Sequence, residues 1–542
     1  MEPTPPELGA NTGSPRELVF DSREELLYLL GEAAELEHSI FCAYLYAAFT
    51  LPAEPEEGLT AAQVPAVAGW KRTINQIALQ EMIHLALANN LLAALGGAPR
   101  LGRHNLPQRS PYAPEIRLTL APFSEQTLRR FLYIERPEGM DISSIAGELD
   151  QDRPAPPVPA GPLVLPAPQA FSSVGQLYRG IEGGLRGLVD RYGEERVFVG
   201  SPNAQASTRY FRVPERMPQL IPVTGLASAV QAIQTIVEEG EGARGGWQRA
   251  HFGRFLEILE AYRAMKAADP SFSPARPSVT NPYVRVPRDL LGLATATGPA
   301  APDDPRGVHL IQDPTSAAVS DLFNACYAAM LQLLYRFFQH TEETDAELSM
   351  LGETTVLMML QVLRPLGELL TRLPVGPQAL GWTAGPSFML TSATPVTPHK
   401  PAAWIILGER LRELAEVCDG LTAGAPEVLA GVRQRLAACA ASLRPLDAAG
   451  REPEAGIPAA ADDPPTADAP MPSFARDIRP LFTERDRAAM RWAFDLGEAA
   501  SVRQHADAIL EQVAAGRMPC DAAWPAERVA LFRKWVQAGS PD

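Results

Sequence analysis

Cysteine is scarce in this chain of 542 residues. The five present are Cys42, Cys326, Cys418, Cys439 and Cys520, and no two form a C-x-x-C pair. An odd, scattered set in so long a chain leaves no disulfide framework and points to a reducing compartment. Basic clusters are also missing. Lys and Arg total 48 against 64 Asp and Glu, giving a net charge of -16 and a pI of about 5.1. Without clustered cations there is nothing to release counterions from a polyanion, so no nucleic-acid partner is expected. No run of 18 apolar residues occurs, so no membrane span is expected either. The opening MEPTPPELGANTGSPREL lacks the basic start and apolar stretch of a secretory signal, and a cytoplasmic protein is the expectation. No repeat at a solenoid period appears.

What is present is apolar material for real cores, at 46% of the residues, in a length that suggests roughly three or four domains. Residues 1–20 are polar and Pro-rich, and disorder is expected there. Ser22 followed by Glu25 is a capping-box pattern that starts a long helix, and Pro52 stops it. A second long helix is expected from about Pro65 to Leu95, ended by Gly96, Gly97 and Pro99. Two such helices fit an antiparallel pair in a bundle. Residues 100–225 read as a long Pro-rich elaboration, a lid or partner surface, with EIRLTLAPF and RVFVG as short strands and TLRRFLYIE and SSVGQLYRGIEGGLRGLVDRYG as helices. Helical periodicity returns at Leu226 and continues in HFGRFLEILEAYRAM, in about Thr315–His340 and Ala346–Leu373, and in a pair covering about Ala402–Leu421 and Pro426–Leu443. Residues 446–472, rich in Ala, Pro and Asp, have the composition of an interdomain linker, and residues 473–542 form a small all-α module.

Chemistry concentrates on three helices. Glu37 lies within an apolar helix, where a charge is costly unless it is paired or binds a cation. Tyr44, two turns on, shares its face. Glu81 and His84 form an E-x-x-H, which sets carboxylate and imidazole side by side. The third acidic helix offers Glu238, Glu239 and Glu241, with Glu238 and Glu241 on one face, and His251 follows beside Phe252 and Phe255. A lone Glu with E-x-x-H on neighbouring helices is the pattern of carboxylate-bridged metal bundles, suited to iron, with manganese as an alternative. These residues could serve one ion or two. Each also has a plainer use: Glu37 as partner of a Lys or an amide, the 238–241 acids as a solvated helix end. His38 points some 100° away from Glu37 and reads as a core polar group or a support for a ligand. His104, His309, His340 and His399 lie in loops or at a helix end, and Cys42 and Cys326 read as small core residues.

The strings ELEHSIFCAYLYAAF, QEMIHLALANNLLAALGG, IVEEGEG with HFGRF, LFNACYAAMLQLL, MMLQVLRPLGELLTRLPVG and AGPSFML resemble the ferritin-like domain of the iminophenyl-pyruvate dimer synthase family over about residues 20–445. The resemblance implies a mainly α fold: a ferritin-like helical bundle with a Pro-rich elaboration and a small all-α C-terminal domain. It implies a metal-dependent oxidoreductase of secondary metabolism. Its substrate would be a small organic molecule such as an amino acid or amino-acid-derived imine, and a homodimer is plausible. Carried over residue by residue, the metal ligands would be Glu37, Glu81, His84, Glu238 or Glu241, and His251. Tyr44 would be a catalytic hydrogen-bond or electron donor, or core filling. The rival expectation is a non-catalytic metal- or partner-binding protein on the same fold. FARDIRPLF, HADAILEQVAAGRMPC and WPAERVALFRKWVQAG resemble a cytochrome-c-like domain, but TERDRAAM stands where C-x-x-C-H would be, so no covalent haem is expected. Met518 and Cys520 then read as packing residues and His505 as an ordinary helix residue.

Overall fold

The computed structural model describes residues 22–52, 59–109, 117–141, 171, 173–214, 217–242, 246–291, 301–391, 398–421 and 426–443. It also describes 472–541 apart from 484–485, 488–489, 491–493, 515–523 and 525. The chain divides into two compact units, Met1–Arg451 and Glu452–Asp542, fewer than its length suggests. The expected disordered start, most of the Pro-rich spacer and nearly all of the linker lie outside the described residues, as do Met518 and Cys520.

The larger unit is built on two long helices, α1 (Arg23–Thr50) and α2 (Val64–Ala94), packed along each other. The capping box forms as expected: Ser22 accepts from the Glu25 amide, and the Glu25 carboxylate accepts from the Ser22 amide. From Glu35 onward nearly every α1 side chain is buried, so α1 is a central helix rather than an amphipathic surface one. Lys71 closes its end by donating to the Leu51 carbonyl at 2.9 Å while pairing with Glu368 at 3.0 Å.

Around this pair pack α3 (Glu125–Ile134), α4 (Val174–Tyr192), α5 (Leu226–Gly240) and α6 (His251–Ala268), with α3 on α6, α4 on α1 and α5, and α6 on α2. A second helical group follows: α7 (Pro314–Phe338), α8 (Asp345–Leu370), α9 (Lys400–Gly420) and α10 (Pro426–Ser442). Within α8 the segment Met358–Leu363 widens into π-helix immediately before Pro365, which has no N–H to give to the helical ladder.

Strands are minimal. β1 (Gln108–Arg109) pairs antiparallel with β2 (Arg117–Leu118), the only ladder formed by EIRLTLAPF among the described residues. β3 (Pro282–Tyr283) pairs parallel with β4 (His309–Leu310). RVFVG is not a strand. Its start is a helical turn, Glu194–Val197, and Gly200 then donates to the Ala94 carbonyl at 2.9 Å, docking the segment on the end of α2.

Three helices, Val64–Ala94, Pro314–Phe338 and Asp345–Leu370, prove long and apolar enough to cross a bilayer by length and composition, although no unbroken apolar run announces them. Of their qualifying windows 78%, 67% and 50% is buried inside the protein, so much of that apolar surface is spent on the bundle. Cys42, Cys326, Cys418 and Cys439 are buried free thiols. The smaller unit includes α11 (Ala499–Gln504), α12 (Ala506–Ala514) and α13 (Ala526–Gln537) around Phe474, Ile478, Phe482, Phe532 and Trp535. His505 caps α11 and stacks on Phe494 at 4.2 Å.

Two glycines make opposite predictions. A Cβ on Gly200 would fall 1.7 Å from the Ala93 carbonyl oxygen, whereas one on the exposed Gly187 of α4 meets nothing within 4 Å. Gly200→Ala should therefore cost about 1–3 kcal/mol through overpacking. Gly187→Ala should gain up to about 1 kcal/mol of helix propensity. Denaturant unfolding of both variants checks the pair.

Candidate metal centre

Five buried side chains from four places in the larger unit meet at one point. Glu37 comes from α1, Glu81 and His84 from α2, Glu135 from the residue after α3, and His251 from the first residue of α6. None is more than 4% exposed. One ligand atom each from Glu37, Glu81 and His84 lie within 4.8 Å of one another, and so do atoms from Glu81, Glu135 and His251. Glu81 belongs to both triads. Its Oε2 lies 2.8 Å from His84 Nδ1 and its Oε1 2.7 Å from His251 Nδ1. Glu135 Oε2 approaches His251 Nδ1 at 3.5 Å.

The two outer carboxylates are each held by a tyrosine. Tyr178 of α4 donates to Glu37 Oε1 at 2.8 Å, and Tyr44 donates to Glu135 Oε1. Tyr44 is wedged between the edges of Phe131 and Phe255, at 4.4 and 5.0 Å between ring centroids. This apolar wall keeps water off the Glu135 side.

The centre is short of positive charge. Burial, then the neighbouring Glu81 charge, raises the Glu37 carboxyl well above the usual carboxylate range. The same two causes raise Glu135. Burial alone would also raise Glu81, but the His251 and His84 imidazoles outweigh it and hold Glu81 well below the usual range. Burial opposes a charged His251, yet Glu81 and Glu135 push its pKa up to about 10. Among the described residues no Lys or Arg pairs with these three acids. The Nε2 atoms of His84 and His251 are buried without a hydrogen-bond partner among the described residues. Three carboxylates, two imidazoles and unsatisfied ring nitrogens fit a hard or borderline divalent cation that prefers mixed oxygen and nitrogen donors.

The structure thus gathers Glu37, Glu81, His84 and His251 of the residues singled out from the sequence, with Tyr44 against them. Glu238 and Glu241 are elsewhere. The buried stripe of α5 runs through Ala229, Ala232, Ile233 and Ile236, and Glu238 falls out of phase with it, on the exposed side. Glu241 is buried but turned to the Gly175 amide at 2.6 Å. Glu239 accepts from Gln80, which also takes Arg254 at 2.6 Å. His38 faces away and shares a hydrogen bond with Tyr327. Glu135 and Tyr178 join the centre in addition to the residues that the sequence singles out. Glu135 had a signal: it continues the apolar face Leu128–Phe131–Leu132 at helical spacing, an acid where a core residue belongs. Tyr178 had none, because it sits among Leu177, Ile181 and Leu185 like any core aromatic.

A family model described as Ferritin-like matches residues 30–260, which contain all five centre residues and both tyrosines. The chain is 27% identical to the 2-imino-3-(indol-3-yl)propanoate dimerase of Chromobacterium violaceum over 391 residues, 68% of this chain and 34% of that one. It is 27% identical to the dichlorochromopyrrolate synthase of Lentzea aerocolonigenes over 425 residues, 73% of this chain and 39% of that one. The matched part is therefore little more than a third of either relative. A solved ferritin-like protein from Caulobacter vibrioides aligns with 59% of this chain and 88% of its own at 19% identity, with a TM-score of 0.35.

The charge balance predicts opposite effects of two isosteric changes in metal-free protein. A raised Glu37 pKa means its stabilisation belongs to low pH and is lost as pH rises through the shifted value. Glu37→Gln, whose amide imitates the protonated acid, should raise stability at pH 7. A depressed Glu81 stabilises above the ordinary carboxylate range and loses this as pH falls through its shifted value. Glu81→Gln should cost about 3–5 kcal/mol at pH 7 by removing the nearer carboxylate partner of the His251 imidazolium. Denaturant titrations in chelator check both signs.

Proposed function

We propose that this chain, whose residues 30–260 match a ferritin-like family model, is an iron-dependent oxidoreductase acting on a small organic substrate, an amino acid or amino-acid-derived imine. The observation that carries the metal is Glu81 standing in both triads. Glu37 and His84 would hold one ion, Glu135 and His251 a second, and Glu81 both. Iron held by carboxylates and imidazoles supplies oxidative chemistry toward dioxygen or peroxide. The residues of the chain fix where that happens. Tyr178 and Tyr44 occupy one oxygen of each outer carboxylate and so orient the other. Cations entering the centre would compete with the proton that the neighbouring acids hold on His251 and with protonation of Glu37 and Glu135, so uptake is coupled to pH. Support for the substrate class comes from the two relatives, a 2-imino-3-(indol-3-yl)propanoate dimerase and a dichlorochromopyrrolate synthase. The C-terminal unit has no part in this proposal.

The near-complete burial of all five residues favours a second reading, a metal-binding protein without turnover. Oxygen uptake by anaerobically iron(II)-loaded protein separates the two: rapid consumption supports an enzyme, and none supports a binder. For the metal itself, protein reconstituted with iron(II) should carry about two ions per chain and release protons on loading in weak buffer. Glu81→Ala should lose both ions and His84→Ala at least one. Elemental analysis showing full iron in both variants would rule out these ligands.

A further inference from the structure

The acid that failed to join the centre has its own position in the fold. Glu241, 6% exposed, caps the end of α5. Its Oε1 accepts the Gly175 amide at 2.6 Å, and its Oε2 accepts the Glu138 amide at 3.3 Å and lies 3.4 Å from Arg179. Gly175 is in the first turn of α4, where amides have no partner within the helix and favour a carboxylate. The approach is so close that a side chain at this position would have to displace the carboxylate. A Cβ at this position would lie 2.3–2.7 Å from the three carboxylate atoms of Glu241.

Both segments that Glu241 grips carry a group of the centre. Tyr178, three residues beyond Gly175, is the donor to Glu37. Glu138 is three residues beyond Glu135, in the turn leaving α3. Arg179 ties the two segments to each other through Glu138. Each outer acid thus depends on a segment that ends at one carboxylate. We propose that Glu241 is a positioning residue for the centre, holding α4 and the turn after α3 so that Tyr178 stays on Glu37 and Glu135 stays beside His251. Its geometric part stands without any metal, and its effect on iron rests on the function proposed above.

The test compares Glu241→Ala, Gly175→Ala and Glu241→Gln in the full chain. Gly175→Ala leaves the acid in the chain but puts a Cβ where its carboxylate sits, so it breaks the contact without deleting Glu241. The proposal predicts that it mimics Glu241→Ala by expelling the carboxylate. In metal-free crystals of these two variants the Tyr178 hydroxyl should stand beyond about 3.5 Å from Glu37, outside hydrogen-bond reach. Iron(II) should bind about 10-fold more weakly at the Glu37 position. The loss should be non-additive with Tyr178→Phe. Glu241→Gln, which keeps an oxygen for the Gly175 amide, should retain most of the affinity. Tyr178 still bonded to Glu37 in both Glu241→Ala and Gly175→Ala would overturn the proposal. If wild-type protein takes up no iron, the functional reading fails, and the crystals still decide this one.

Discussion

A carboxylate buried between two imidazoles is the contact on which the site is organised. Glu81 is 2% exposed and lies between His84 and His251 at 2.8 and 2.7 Å. Burying such a charge costs several kcal/mol unless partners replace water. Glu81 has its partners, but at the expense of Glu37 and Glu135, whose carboxyls must share the same small volume. The metal-free centre is therefore frustrated: the ion pair that steadies one acid makes the other two harder to ionise. A pair of divalent cations, as proposed, would resolve the conflict because every acid could then ionise. The helix carrying Glu81 is correspondingly well anchored. Beyond its packing on α1, Asn90 donates to the carbonyls of Ala206 and Ile221 and accepts the Ala206 amide, and Asn89 accepts the Arg100 amide.

Those anchors reach into residues 100–225, the segment that reads from sequence as an elaboration. In the structure it is a working part of the bundle. It supplies Glu135, one of the three acids, and Tyr178, the donor to another. Its loops are stitched to α2 through Asn90 and to α5 through Glu241. Had it been only a lid, deleting it would leave a complete centre. As built, deletion would remove one of the three carboxylates and leave Glu37 without its tyrosine.

The contrast shows what local pattern encodes. Helices α1 and α2 were legible nearly to the residue, because a capping box, Pro52 and the Gly96–Gly97 pair act on the backbone where they stand. The E-x-x-H was legible because both members lie on one turn. Membership of a centre assembled across four segments is a tertiary fact. Glu241 and Glu135 are both buried acids at helix ends, and only packing decides that Glu135 meets His251 while Glu241 meets an amide. Glu238 was misplaced by counting from its neighbour Glu241 instead of from the apolar stripe of α5. RVFVG has strand composition, but its neighbours offer no ladder, and docking on α2 takes precedence.

The central claim is that Glu81 is shared by two metal ions. Anomalous diffraction at the iron edge, on crystals grown anaerobically with iron(II), tests it directly. Two peaks are predicted, one among Glu37, Glu81 and His84 and the other among Glu81, Glu135 and His251. Iron scattering located away from these five side chains, or absent while they keep their present contacts, would contradict it.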